Sequence, residues 1–174
     1  MPFGIAAAPA TFQRLMNDVL KDMLWKEALV YLDDILIFSK TETEHLDRLE
    51  KLFSKVQEVG LRINPEKCKL FQNELHFLGH VVNREGIKTD PNKIKTICEF
   101  QQPKCVKKLR SFLGLCNYYR KFISNYSKLA RPLESMCSAS KDTLFWTDLH
   151  SAAFNKLKES LTRAPVLMYP DFTK

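Results

Sequence analysis

The chain has 174 residues, 45% of them apolar, with a formal net charge of +7. That suits one moderate domain, or one and a fraction, with ample material for a core, and the positive balance is compatible with a polyanionic partner. No signal peptide and no bilayer-length apolar run is visible, and the five cysteines are odd in number without a CxxC pair. The expectation is therefore a cytoplasmic or nuclear chain with reduced, structural thiols rather than a secreted or membrane-spanning one.

Met1-Pro2-Phe3-Gly4 leads directly into a predicted helix that opens with Pro9, a good first-turn residue. Phe12, Leu15, Met16, Val19, Leu20, Met23 and Leu24 follow at helical spacing and give it one apolar face. Nothing ahead of this helix reads as a leader, so the chain looks cut rather than begun.

The next stretch, Val30 to Ser39, organises the rest. Asp33 and Asp34 sit between two short β-prone runs, which predicts a tight hairpin with strands at about 28–32 and 35–38. Burying two unpaired anions is expensive, so the pair is either an acidic turn kept in water or a ligand pair for a hard cation such as Mg²⁺. A carboxylate pair of this kind is what two-metal nucleotidyl transfer uses.

Thr41 and Glu44 make a capping box for a second helix, with Leu46, Leu49, Phe53, Val56 and Val59 as its expected buried stripe and Gly60 as its stop. A turn at Asn64-Pro65 and a second hairpin over about 75–88, turning at Asn83-Arg84-Glu85-Gly86, come next. His76 and His80, read on one strand, would be about 13 Å apart, too far to share a zinc. Helix, hairpin and helix in this order predict an antiparallel sheet backed by helices, an α+β arrangement.

From Asp90-Pro91 the character changes. Asp90 can cap a helix, and further helices begin near Cys105 and Asn125. Eleven Lys or Arg against two acids lie between Lys88 and Arg131, more than the net charge of the whole chain. Such a block is either a solvated face or a nucleic-acid clamp. On the helix at about 105–122, Val106, Leu109, Phe112, Leu113 and Cys116 face inward, while Arg110, Gly114 and Tyr118 recur every four residues on another face. A mid-helix glycine costs ~1 kcal/mol against alanine, so Gly114 serves either a groove or close helix packing. The tail carries Leu144-Phe145-Trp146, an N-cap at Thr147, and a helix buried through Ala153, Phe154, Leu157 and Leu161.

Together these residues resemble the reverse transcriptases of gypsy-type LTR retrotransposons, with retroviral polymerases as more distant relatives. The resemblance runs over essentially all 174 residues. It is carried by Met1-Pro2-Phe3-Gly4 through Ala8-Pro9-Ala10-Thr11-Phe12-Gln13, Tyr31-Leu32-Asp33-Asp34, Asn64-Pro65-Glu66-Lys67-Cys68 and Phe77-Leu78-Gly79-His80. Leu109 to Leu115, Asn117-Tyr118-Tyr119-Arg120 and Ala164-Pro165-Val166-Leu167 complete it.

The resemblance implies a stretch of a Pol polyprotein: a partial polymerase palm over 1–88, a mostly helical thumb over 89–140, and over 141–174 the start of a connection toward a ribonuclease H domain. It implies that Asp33 and Asp34 are catalytic and metal-binding, with two Mg²⁺ ions in the complete enzyme and Asp33 the stronger direct ligand. Phe3, Gly4, Gln13 and Tyr31 would touch nucleotide or template. Phe77, Leu78, Gly79 and His80 would form the primer grip. Arg110, Gly114, Asn117, Tyr118 and Lys121 would line the duplex. Implied partners are an RNA/DNA primer–template and dNTPs, without a membrane. The family's fingers and first catalytic Asp would precede Met1, so these residues alone are expected to be inactive. Asp171 falls in the lead-in to ribonuclease H and takes no catalytic role.

Four positions depart from the family pattern. Ala7 stands for a polar Asn, Trp25 for a helix-ending Gly, and Cys105 with Lys108 for a Thr-x-x-Glu capping box. They leave two other expectations open: a non-catalytic nucleic-acid-binding protein, or a functionless retroelement remnant.

Overall fold

A computed structural model describes residues 6–139 and 143–169. Phe3, Gly4 and Asp171 lie outside them. The chain divides into two compact units, 1–72 and 73–174.

The first unit runs α1 (Ala8–Val19), β1 (Ala28–Tyr31), β2 (Asp34–Ile37) and α2 (Glu42–Glu58). α1 carries proline in its first turn and, with the turn after it, buries Met16, Leu20 and Met23 against Ala28, Leu52 and Val56. Leu15, expected on that face, is 42% exposed. On α2 the buried stripe is Leu49, Leu52 and Val56, whereas Leu46, Phe53 and Val59 stay exposed. The expected stripe was drawn too wide: Leu46 and Phe53 lie on its flank, and the two-stranded ribbon and α1 cover a narrow face only.

Half of the expected capping box forms. Thr41 accepts the Glu44 N–H at 3.2 Å, but the Glu44 carboxylate turns to the Lys40 N–H at 2.8 Å. That backbone bond, ahead of the Arg48 charge beside it, holds Glu44 below the usual carboxylate range. Gly60, at φ +70°, ends α2 with the paired bonds Leu61 N–H to Val56 O and Gly60 N–H to Gln57 O, each at 3.0 Å.

The second unit opens with an antiparallel meander, β3 (Glu74–Phe77), β4 (His80–Asn83) and β5 (Gly86–Thr89). The turn at 83–86 forms as expected, with Asn83 paired to Gly86. The first arm of the predicted hairpin is broken by a second tight turn, Leu78-Gly79, with Phe77 paired to His80. Both turn residues have positive φ, +47° and +67°. Leucine rarely adopts that conformation, so nothing local announced the turn. His76 and His80 therefore lie on neighbouring strands, not on one. Leu167 exchanges both backbone hydrogen bonds with Ile87 at 2.9 Å and adds a short rung to the edge of β5. A Cβ on Gly86 would lie 2.1 Å from the Leu167 carbonyl oxygen, so only glycine fits there.

Four helices follow: α3 (Pro91–Cys98), α4 (Val106–Tyr118), α5 (Tyr126–Ala139) and α6 (Asp148–Thr162). Asp90 caps α3 by accepting the Asn92 N–H at 2.9 Å. The helix expected to reach residue 122 ends at Tyr118 and continues as a single 3-10 turn, Arg120–Phe122. Leu109, Phe112, Cys116, Leu133, Phe154, Leu157 and Leu161 share one core, as the α4 and α6 stripes predict. The α+β expectation holds.

Candidate functional site

The acidic turn is set by register. Tyr31 pairs with Asp34, so the turn is Leu32-Asp33 and Asp34 already belongs to β2, one residue earlier than expected. Leu32 takes φ +52°, a conformation costing a side-chain-bearing residue about 1–2 kcal/mol. Gln13 on α1 braces it. Its side-chain oxygen accepts the Leu32 N–H at 2.6 Å, and its amide donates to Val30 O at 3.2 Å and to Asn17 Oδ1 at 2.9 Å. Gln13, expected to touch template or nucleotide, thus has its polar atoms engaged by the turn and by α1.

Asp33, Asp34 and Tyr31 are all exposed. Adjacent carboxylates suit a hard cation that takes oxygen ligands. Among the described residues no third His, Cys, Asp or Glu gathers with them. The two carboxylates fit Mg²⁺ in chemistry and would supply part of its coordination.

The second candidate is the Leu78-Gly79 turn. The Tyr118 hydroxyl donates to the Leu78 carbonyl, and the Tyr119 hydroxyl donates to the Gly79 carbonyl at 2.6 Å. His80 Nδ1 lies 2.8 Å from the same Leu78 oxygen, and its ring packs 5.3 Å from Tyr118, 5.5 Å from Tyr119 and 5.8 Å from Phe122. A Cβ on Gly79 would sit 2.8 Å from the Tyr118 hydroxyl. Tyr119 is buried, and burial pushes its phenol up to about 12. The sequence marks Tyr118 by its place in the outer stripe and carries no comparable signal at Tyr119. Helical spacing places Tyr119 inward, but its partner lies 40 residues away in sequence.

The third is the outer face of α4 and the turn after it. Arg110, Gly114, Asn117, Tyr118 and Lys121 are all exposed along it. A Cβ built on Gly114 meets nothing within 4 Å. Close packing inside this unit is therefore not the reason for the glycine.

A family model described as reverse transcriptase (RNA-dependent DNA polymerase) matches residues 1–82. Over its whole length the chain is 46% identical to the retrovirus-related Pol polyprotein from transposon 297 of Drosophila melanogaster, covering 16% of it. It is 35% identical to the corresponding polyprotein from transposon gypsy of the same organism, covering 18%, and 37% identical to the transposon Tf2-3 polyprotein of Schizosaccharomyces pombe, covering 13%. The chain thus spans less than a fifth of these relatives. Among solved structures, a foamy viral protease–reverse transcriptase in complex with double-stranded DNA is similar at a TM-score of 0.90 and 32% identity, over 98% of this chain and 30% of that one. The same kind of protein in complex with an RNA/DNA hybrid gives 0.84 and 32%, over 97% and 23%.

Proposed function

The chain belongs to the reverse transcriptase family of gypsy-type LTR retrotransposons, and on that premise we propose that it is the palm-to-thumb stretch of an RNA-directed DNA polymerase. The proposed division is palm over 1–88, thumb over 89–140 and connection over 141–174. The reaction is template-directed nucleotidyl transfer on an RNA/DNA primer–template with dNTPs.

Asp33 and Asp34 would hold Mg²⁺ together with ligands from outside the described residues. When bound, the metal supplies Lewis-acid stabilisation at the primer 3′-hydroxyl and the leaving pyrophosphate. The braced turn keeps Asp33 in one backbone conformation, which saves reorganisation when substrate arrives. Phe3, Gly4 and Tyr31 line the nucleotide site, and Gln13 acts there through the turn it holds. Phe77 to His80 grip the primer end, and Arg110, Gly114, Asn117, Tyr118 and Lys121 follow the duplex.

The observation that carries this reading is the open space at Gly114 inside an exposed, basic, aromatic stripe. It favours clearance for a ligand over internal packing. The foamy viral neighbours, in complex with double-stranded DNA or an RNA/DNA hybrid, support a duplex as that ligand. Gly114→Leu should weaken binding to an RNA/DNA primer–template, and Lys121→Ala should weaken it with a shallower dependence on salt. Unchanged affinity after Gly114→Leu overturns the duplex reading. A second reading, a non-catalytic nucleic-acid-binding protein, rests on the same exposed stripe of Arg110, Gly114, Tyr118 and Lys121, which needs no metal to meet a duplex.

A further inference from the structure

We propose that Tyr119 is a positioning residue for the primer 3′ end: with Tyr118 it ties the Leu78-Gly79 turn to the end of α4, so that turn and helix face engage a duplex as one piece. This rests on the reading of these two elements as primer grip and thumb.

Four observations carry it. Consecutive carbonyls of one two-residue turn each accept a hydroxyl from consecutive residues of one helix end, Leu78 from Tyr118 and Gly79 from Tyr119. A turn with both φ values positive, one of them at leucine, needs outside support to hold a single shape, and these are its side-chain hydroxyl bonds among the described residues. Gly79 passes close under the Tyr118 ring: a Cβ built on it would lie 2.8 Å from the Tyr118 hydroxyl, so a side chain there would displace the ring that holds the turn. His80, the residue after the turn, is enclosed by the rings of Tyr118, Tyr119 and Phe122.

The two tyrosines divide the work by burial. Tyr118 is 52% exposed and belongs to the outer stripe, whereas Tyr119 is 1% exposed and cannot touch a duplex. Whatever the Tyr119 hydroxyl contributes to primer handling passes through the Gly79 carbonyl. Its hydroxyl should therefore govern where a primer end sits, not how tightly a duplex is held.

The test uses the 174-residue chain and two labelled RNA/DNA duplexes of equal length, one with a recessed DNA 3′ end and one blunt. The chain should prefer the recessed end. Tyr119→Phe keeps the ring, removes the hydroxyl, and should lower that preference about fivefold, the worth of one ordinary hydrogen bond, with little change in affinity for the blunt duplex. Tyr126→Phe is the control, since Tyr126 sits in the same unit but its hydroxyl reaches Leu113 O at 3.4 Å, away from the turn. Amide exchange at Gly79 and His80 should quicken in Tyr119→Phe while the α4 amides stay slow. An unchanged preference in Tyr119→Phe, or an equal loss in Tyr126→Phe, overturns the positioning role alone. Binding by the unsubstituted chain without end preference overturns the grip reading and the proposal with it. No duplex binding at all overturns the proposed function.

Discussion

The side-chain oxygen of Gln13 accepts the backbone N–H of Leu32 at 2.6 Å, joining α1 to the turn that presents Asp33. Gln13→Ala removes this bond together with the one to Val30 and should destabilise the first unit by about 1–3 kcal/mol. Gln13→Glu keeps the acceptor and should cost less. The check is urea unfolding combined with exchange at the Leu32 amide. If Gln13→Ala leaves both unaltered, the turn does not depend on α1.

Trp25 offers the opposite case, a residue that costs stability where it stands. It takes φ +66° and is 83% exposed, so it carries left-handed strain with almost no packing in return. Relieving about 1–2 kcal/mol of strain, less the larger unfolded-state freedom of glycine, should make Trp25→Gly more stable by about 0.5–1 kcal/mol. Trp25→Ala keeps the strain and should gain nothing. A thermal midpoint that rises equally in both variants would point to the exposed indole, not to the backbone.

The acidic pair stood out because two anions in an apolar run demand a reason, and the inner stripes of α4 and α6 stood out because several packed helices cover one face of each. Gly114 is recognisable as unusual, yet only the empty space beside it argues against packing within the unit. The flank of α2 was misjudged because hydrophobic spacing says which face is apolar, not how wide its cover is. The Leu78-Gly79 turn and the Tyr119 hydroxyl stayed hidden for one reason. Each is fixed by a partner 40 residues away in sequence, which no local window contains.

The start of α4 is a repairable cap. Cys105 occupies the N-cap with extended backbone, φ −140° and ψ 157°, and its side chain makes no capping bond. Cys105→Thr with Lys108→Glu would let both side chains satisfy first-turn N–H groups and should stabilise the second unit by about 1 kcal/mol. Cys105→Ala should change little. A double substitution no more stable than Cys105→Ala would mean that the first turn is already satisfied by water.

Alkaline pH should loosen the second unit specifically. Burial raises Cys116 from its ordinary 9.0 to about 12, and burial likewise raises Tyr119 and Tyr126 from 10.0 to about 12. A proton held more tightly in the fold than in the unfolded chain stabilises the fold fully below the unfolded value. That stabilisation is lost as pH rises through the folded value. Stability should hold below about pH 9 and fall between about 9 and 12. Unfolding followed by tyrosinate absorbance and by exchange across α4 reads this directly, and Tyr119→Phe should make the fall shallower. An equally steep fall in Tyr119→Phe would show that other groups set it.

These 174 residues by themselves should not extend a primer. Two-metal transfer needs ligands on both sides of the ion pair, and Asp33 with Asp34 offers one side. Among the described residues no group of three or more His, Cys, Asp or Glu gathers to complete it. Without a further ligand the pair would forgo Lewis-acid stabilisation worth several kcal/mol, which would place turnover below detection. Installed in place of the matching stretch of a complete reverse transcriptase, the same residues should support Mg²⁺-dependent extension. Asp33→Asn should then abolish it, because an amide binds a hard cation far more weakly than a carboxylate. Extension by the 174 residues alone, abolished by Asp33→Asn so that a contaminating polymerase is excluded, would show that the acidic pair assembles a working metal site without further ligands.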